Sequence, residues 1–496
     1  MRTFFEAVAS HARRNPDRIA FSDSYGSLTR SALLGEAVRL SAELPKTART
    51  IGLMLPNGRE WAVAQIACVS SGRIAVPLPT FFSAQQIDHI VRDASVDIVL
   101  TSEACRSSIP AGLPFLSVAL TGESGAIPDF RPGFGSIIYT SGSTGQPKGV
   151  RHESGQVAWS AAALAAAIGA SEDDSYLSAL PLSLLLESIC AIFIPALVGG
   201  RSHFDAALAE TVGRGAPAGI AAAFARHRPT TGVLVPELLR LWVAELLAAG
   251  GQKAPDSLRF VAVGGAAVPP RLAEAAWHLG IPVHEGYGLS ECCSVVAVNR
   301  PGARIAGTVG EPLPGLSVSI RNGEIHVDGP CVTDGYLGGG AAERPWATGD
   351  VGALDGAGRL TVFGRRDNLI VTALGRNISP EWVETVLLDD PGVAFCAVAA
   401  ADAGLAALIV PAPRAAAWFE KVAPEAIDER IAARSAALPI YARPTRVKVI
   451  SLAKAKAVGL LTDNGRIRRR VARELLANPT SLSLSPTFQL EERTES

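Results

Sequence analysis

The stretch SIIYTSGSTGQPKGV, residues 136–150, decides how the chain is read. Ile137, Ile138 and Tyr139 form a short apolar run of good β-formers. Thr140, Ser141, Gly142, Ser143, Thr144 and Gly145 follow, and then Lys148-Gly149. Such a run, bounded by small polar residues, predicts a buried strand that ends in a loop. The glycines let the backbone turn tightly and aim successive N–H groups at one point. The hydroxyls add donors and Lys148 adds a positive charge, so the loop reads as a cradle for an anion. It is not a Walker A loop, because Gly149 follows Lys148 where Ser or Thr is required. A mere flexible surface loop is disfavoured by six hydroxyl or glycine residues in a row directly after an apolar strand.

Outward from this stretch the same alternation repeats. RTIGLMLPN, RIAVPLP, VDIVLTS, TTGVLVPE and LRFVAVGG are short apolar runs closed by Gly, Pro or Ser. Between them, EWAVAQIACVSSG, SAQQIDHIVRDA and LLRLWVAELLAAG space their apolar residues by three and four. Continuous apolar strands alternating with helices predict parallel sheets covered on both faces. The texture changes near residue 305. GLSVSIRNGEIHVDGP alternates about an Asn-Gly turn, the mark of a hairpin. The expected architecture is α/β. Residues 1–366 form a large domain of parallel β-sheets covered by helices, with a small β-barrel-like part. Residues 367–477 form a small mobile α+β domain, and the polar tail 478–496 is expected to be disordered.

Bulk properties exclude several classes. The formal net charge of −1 lacks the basic excess of a nucleic-acid binder. The apolar segment LPLSLLLESICAIFIPALVGG, residues 180–200, contains Glu187 and Pro195, which predicts a buried helix rather than a membrane span. No signal peptide is read at the start, and the seven cysteines form no C-x-x-C pair. Reduced thiols and a cytoplasmic location are therefore expected. With only seven lysines in 496 residues, a lysine inside a motif carries weight.

Further motifs offer matching chemistry. Glu291, in EGYGLSE, presents a hard oxygen suited to Mg²⁺. Tyr287 can stack on a purine. Gly264, Gly265 and Ala266 permit close approach of a ligand to the backbone. Asp350, in ATGD, can accept from both ribose hydroxyls.

The ordered series resembles the adenylate-forming superfamily, which includes acyl-CoA synthetases, stand-alone acyl ligases and peptide-synthetase adenylation domains. The resemblance spans about residues 4–477. YTSGSTGQPKG resembles the phosphate-binding loop and LPLSLLLES the helix beside the acyl pocket. VGGAAVP and EGYGLSE resemble the adenine-binding strands, which implicates Glu285, Gly286, Tyr287, Gly288 and Ser290. The last stands where threonine is usual. ATGD resembles the ribose-binding turn. GRRDNLIVTALGRNISPEWVE resembles the hinge and the start of the small domain, which makes Arg365 a nucleotide contact, Asp367 the hinge and Gly375 part of the thiol channel.

LLTDNGRIRRR resembles the final motif, whose lysine bridges carboxylate and α-phosphate. Here that position is Arg466. Arginine keeps the charge but replaces a compact ammonium with a planar fork. Arg468, Arg469 and Arg470 read as basic residues on the small domain's surface.

The resemblance implies an ATP- and Mg²⁺-dependent carboxylate–thiol ligase. In that reading Lys148, Glu291 and Arg466 are catalytic, and Glu291 is the metal ligand. The residues after the phosphate loop lack the aspartate with which peptide-synthetase domains pair an amine. The apolar surroundings of Leu184 suit a fatty or otherwise apolar acid. The acceptor is coenzyme A or a carrier-protein phosphopantetheine, which share the same thiol arm. A degenerate, non-catalytic acyl or nucleotide binder is the reading from another class.

Overall fold

A computed structural model describes residues 1–140, 147–213, 218–371, 377–401, 404–461 and 467–477. The chain divides into two compact units. One comprises Met1–Val268, Ala273–Thr348 and Ala353–Thr361; the other comprises Pro269–Leu272, Gly349–Gly352 and the chain from Val362 onward.

The apolar runs of the first unit become strands of two sheets. The six-stranded sheet has the order Phe115–Ser117, Ile98–Thr101, Thr50–Met54, Ile74–Pro77, Gly135–Thr140 and Lys148–Glu153. Neighbours are parallel until the last pair, which is antiparallel. The nine-stranded sheet runs Glu311–Pro312, Ser294–Val298, Val283–Leu289, Phe260–Val263, Thr231–Leu234, Ser175–Ser178, Arg201–Phe204, Ile19–Asp23 and Gly26–Thr29. Its centre is parallel and its outer pairs are antiparallel.

Helix Arg59–Ser71 buries nearly every residue from Trp61 to Ser70, as a helix apolar on all sides must. It stops at Gly72, whose φ is +69°; a Cβ there would lie 2.2 Å from the Pro132 carbonyl oxygen. Helix Ala84–Asp93 starts with the capping box its sequence carries, Ser83 and Gln86 each satisfying the other's backbone N–H. The segment 180–200 is a buried helix. It runs α over Leu185–Ser188, widens to a π-turn over Ile189–Phe193 and returns to α over Ile194–Val198. Among the described residues no helix is long and apolar enough to cross a membrane. All seven cysteines are unpaired and buried.

The Asn-Gly hairpin forms as its sequence predicts. Strands Ser317–Arg321 and Glu324–Asp328 pair antiparallel, with Asn322 and Gly323 both at positive φ in the two-residue loop. They belong to a four-stranded sheet completed by Trp346–Leu354 and Leu360–Arg365.

The second unit is built on a three-stranded sheet, Val393–Ala401, Gly404–Pro411 and Pro444–Val449. Both faces are apolar and strictly alternate. Cys396, Val398, Leu405, Ala407 and Ile409 face Val383, Leu387 and Ile431. Ala397, Ala399, Ala406, Leu408 and Val410 face Leu460, Ala472 and Leu476. The larger residues line one face and mostly alanines the other.

The strand that begins with Lys148 also carries His152, fully buried with neither ring nitrogen hydrogen-bonded. Burial pushes its pKa down to about 4. His284, stacked 4.5 Å from the Phe260 ring, is likewise pushed to about 4. Both are neutral in the folded state at neutral pH. The unfolded chain takes up their protons near the ordinary histidine pKa, so stability is full above about pH 6.5 and falls as pH drops towards 4. Each such histidine contributes up to about 1.4 kcal/mol per pH unit in that window. His152→Leu removes two unsatisfied nitrogens. It is expected to raise Tm and to flatten the loss of Tm between pH 7 and pH 5, as read by calorimetry.

Candidate active site

The anion loop is mounted on a hairpin. Strand Gly135–Thr140 pairs antiparallel with Lys148–Glu153, and Thr140 lies directly opposite Lys148. The mouth of the loop therefore sets a hydroxyl beside an exposed lysine. Ser141, Gly142, Ser143, Thr144 and Gly145 lie outside the described residues.

Glu291 comes from the other sheet. Strand Val283–Leu289 ends in the 3₁₀ turn Ser290–Cys292 and returns as Ser294–Val298. The return is forced: Cys293 (φ +48°) and Ser294 (φ +87°) both adopt the left-handed region. Two such non-glycine residues cost about 1–3 kcal/mol each. Ser160 offsets part of this by donating to the Cys293 carbonyl at 2.6 Å. Strain of this kind clusters at functional sites, and here it presents Ser290 and Glu291 on a tight corner. Gly288 belongs to the same corner. Chain register slips between Tyr287 and Gly288, and a Cβ on Gly288 would lie 1.7 Å from the Ser294 carbonyl oxygen.

One segment ties these two pieces together. Leu337 N–H donates to the Gly149 carbonyl at 2.8 Å, and Tyr336 forms a bridge with Val150. Thr333 N–H donates to the Glu291 carbonyl at 2.8 Å, while its hydroxyl donates to Arg151 O at 2.7 Å. The Tyr336 hydroxyl donates to Glu291 Oε1 at 2.6 Å, and its ring centroid lies 5.6 Å from Lys148 Nζ. Lys148, Tyr336 and Glu291 thus share one place. Sequence reading missed Tyr336. Its signal was TDGYL, with a glycine at φ +134° (Gly335) just before an aromatic residue.

The residues expected on the purine side lie at the ends of neighbouring strands. Gly264 follows Phe260–Val263, which pairs parallel with the strand carrying Glu285 and Gly286. A Cβ on Gly264 would be 3.0 Å from the Gly286 carbonyl oxygen, and Gly265 sits at φ +82°. Gly265 and Ala266 are exposed, so their backbone is open to a ligand; Tyr287 is half-buried. Glu285 is buried, and its carboxylate holds Arg304 through two contacts of 2.9 and 2.5 Å and Asn299 at 3.1 Å. Its side chain is occupied in fixing the strand.

In the second unit, Arg365 Nη1 donates to Asp350 Oδ1 at 3.0 Å. Gly349 beside it has φ +72°, which turns Asp350 inward to near-complete burial. Asp367 is exposed in the 3₁₀ turn Arg366–Asn368. Gly375 and Arg466 lie outside the described residues, but the stems of their loops are described. Ile370–Val371 pairs with Asn377–Ile378, and Leu461 bridges Ile467. The surface position expected for Arg469 is corrected. It makes a two-pronged contact with buried Glu384 at 2.8 and 2.7 Å and pairs with Glu381 at 2.9 Å. Arg468 and Arg470 are exposed.

Glu187 is fully buried, accepts the Tyr176 hydroxyl at 2.9 Å, and is pushed up to about 8 by burial. Burial in this way favours its uncharged form, which suits it poorly as a counter-charge to an amine.

Parallel sheets, a hairpin that carries Thr140 and Lys148, and a Glu291 gathered with Lys148 about Tyr336 fit an enzyme that handles nucleotide phosphates. The pattern of the AMP-binding enzymes matches residues 8–127 and 135–337, and the chain belongs to that family. It is 31% identical to the 2-succinylbenzoate–CoA ligase of Bacillus licheniformis over 429 residues, 80% of this chain and 86% of that protein. The Bacillus subtilis ligase of the same name is 28% identical over 80% of this chain and 84% of its own length. Among solved structures, the Bacillus subtilis o-succinylbenzoate–CoA synthetase in complex with ATP and magnesium ion superposes with TM-score 0.76 at 26% identity, over 94% of this chain and 98% of that one. An anthranilate–CoA ligase in complex with anthranoyl-AMP shares the fold, with TM-score 0.80 at 20% identity over 96% and 97% of the two chains.

The corner at Gly288 separates two glycines by a clear test. Gly288→Ala is expected to destabilise by about 1–3 kcal/mol or more, because backbone must move. Gly286→Ala, whose Cβ would meet nothing nearer than 3.4 Å, should lie close to wild type in urea denaturation.

Proposed function

We propose that this adenylate-forming ligase activates an apolar carboxylic acid with ATP and transfers the acyl group to coenzyme A. The observation that carries the proposal is the convergence of Lys148, at the mouth of the anion loop, and Glu291 on one tyrosine side chain. The relatives act on 2-succinylbenzoate, an aromatic acid, and they lend no support to the fatty character expected above. We therefore take the acid to be an aryl acid. The buried Glu187, whose pKa burial raises, and its apolar helix agree with an uncharged body on the substrate.

Glu291 fits a magnesium ion. Among the described residues no hydrogen bond reaches its Oε2, and no group of three His, Cys, Asp or Glu side chains is arranged to hold a metal. One carboxylate supplemented by phosphate and water oxygens is how Mg²⁺ is usually held. Bound there, it would neutralise charge on the phosphates.

In this reading Lys148 and the loop Thr140–Gly145 hold the phosphates. Asp350 and Arg365 address the ribose side, and Gly264–Ala266 and Tyr287 the base. The acid's carboxylate oxygen attacks the α-phosphorus, the bond to the β-phosphate oxygen breaks, and pyrophosphate leaves. The thiol then attacks the acyl carbonyl and AMP departs. Two anions must approach each other in the first step, so positive charge that strengthens in the transition state is required. Arg466 takes that role by position in the motif. Rotation about Asp367 would then bring the segment around Gly375 to the thiol.

Arg466→Ala is expected to slow ATP–pyrophosphate exchange by about 10²–10³-fold, while Arg466→Lys keeps or raises the rate. Exchange in the alanine variant equal to wild type would remove Arg466 from the first step. AMP release across aryl, fatty and hydroxy acids, with coenzyme A or a holo-carrier protein as acceptor, identifies the substrate. Absence of AMP release with every acid tested would favour a non-catalytic binder.

A further inference from the structure

We infer that Tyr336 is a positioning residue that holds Lys148 and Glu291 apart yet addressed to one ligand. The inference rests on the functional reading above and deepens it. Lys148 and Glu291 are opposite charges from different sheets, both brought to Tyr336. Left to themselves, such groups pair with each other, and a lysine–glutamate pair would withdraw both from phosphate and metal. Tyr336 engages each through a different part of one rigid side chain. Its hydroxyl donates to Glu291 Oε1 at 2.6 Å, which fixes the carboxylate and leaves Oε2 as the atom that would hold a metal. Its ring lies 5.6 Å from Lys148 Nζ, within the range of a cation–π contact, which holds the ammonium without neutralising it.

The tyrosine is itself anchored from both ends. Its neighbour Leu337 bonds the Gly149 carbonyl, its own backbone bridges Val150, and Thr333 bonds the Glu291 carbonyl. The Trp346 ring packs edge-on against it at 6.0 Å. A side chain fixed this firmly sets the position of its two partners.

The two contacts can be removed separately. Tyr336→Phe deletes the hydroxyl and keeps the ring; Tyr336→Leu deletes both. The probe is Mn²⁺ in place of Mg²⁺, followed by electron paramagnetic resonance with a non-hydrolysable ATP analogue bound. Binding of the metal-free analogue is measured in parallel by calorimetry. Tyr336→Phe is expected to weaken Mn²⁺ binding about 10-fold, the usual cost of losing an outer partner of a metal ligand, and to leave metal-free nucleotide affinity unchanged. Tyr336→Leu is expected to weaken the metal-free nucleotide as well, about threefold or more. Thermal melting of the ligand-free phenylalanine variant should match wild type.

Equal Mn²⁺ affinity in wild type and Tyr336→Phe overturns the inference. So does an equal loss of metal-bound and metal-free nucleotide, or a lowered melting point in that variant, since either marks a merely structural tyrosine. Wild-type protein that takes up no Mn²⁺ with the nucleotide overturns the functional reading, and this inference falls with it.

Discussion

The backbone contacts of residues 333–337 are the constraint on which the first unit's chemistry rests. Lys148 begins the outermost strand of one sheet, and Glu291 sits on a corner at an outer strand of the other. Nothing in either sheet fixes the distance between them. The hydrogen bonds from Leu337 to Gly149 and from Thr333 to Glu291 do so. Backbone bonds suit this task, because they carry no rotamer freedom and lock the segment in register. Side chains then need only local adjustment, which Tyr336 supplies.

The corner at Glu291 shows why such a segment is needed. Cys293 and Ser294 in the left-handed region would relax if the turn were free. The turn is held from three sides: by Ser160 on the Cys293 carbonyl, by Thr333 on the Glu291 carbonyl, and by Tyr336 on the carboxylate. The buried thiols of Cys292, Cys293 and Cys331 fill the space behind it, and burial raises all three pKa values well above the ordinary range. They act as small apolar side chains in the packing.

Much of this was legible beforehand. Period and punctuation mark the strands Thr50–Met54, Ile74–Pro77, Ile98–Thr101, Gly135–Thr140, Thr231–Leu234 and Phe260–Val263, since fully buried strands read as unbroken apolar runs. Asn322-Gly323 marks its hairpin, because Asn and Gly tolerate the positive φ that a type I′ two-residue loop needs at both positions. Thr140, Lys148 and Glu291 stand in motifs whose residue types state their chemistry. What could not be read was pairing across long sequence distance. Tyr336 is one aromatic among many until the fold brings it to its acceptor Glu291, 45 residues away along the chain. Glu285 and Glu291 are both glutamates of one short motif, yet Arg304 and Asn299 occupy the first while the second faces Tyr336. Composition and spacing do not distinguish them; partners do.

Arg469 makes the same point in the second unit and bears on the loop before it. An arginine in the first turn of a helix opposes the helix dipole, so its position needs another cause. Glu384 supplies it: buried on Pro380–Leu388, it accepts both prongs of the guanidinium as well as the Val398 N–H. Glu381, one turn earlier, pairs with Arg469 and also accepts from Asn368, the neighbour of Asp367. Removing one partner of so buried a pair leaves an uncompensated charge, which is far costlier than losing an exposed ion pair. The base of the final motif and the 366–368 turn therefore share one carboxylate pair. Arg469 is retained for geometry, while exposed Arg470 makes only a surface ion pair with Glu474, one helical turn on, and exposed Arg468 reaches the Gly459 carbonyl. Arg468, Arg469 and Arg470 are thus not one basic patch, and a guanidinium at 469 has a fixed architectural task that its neighbours lack.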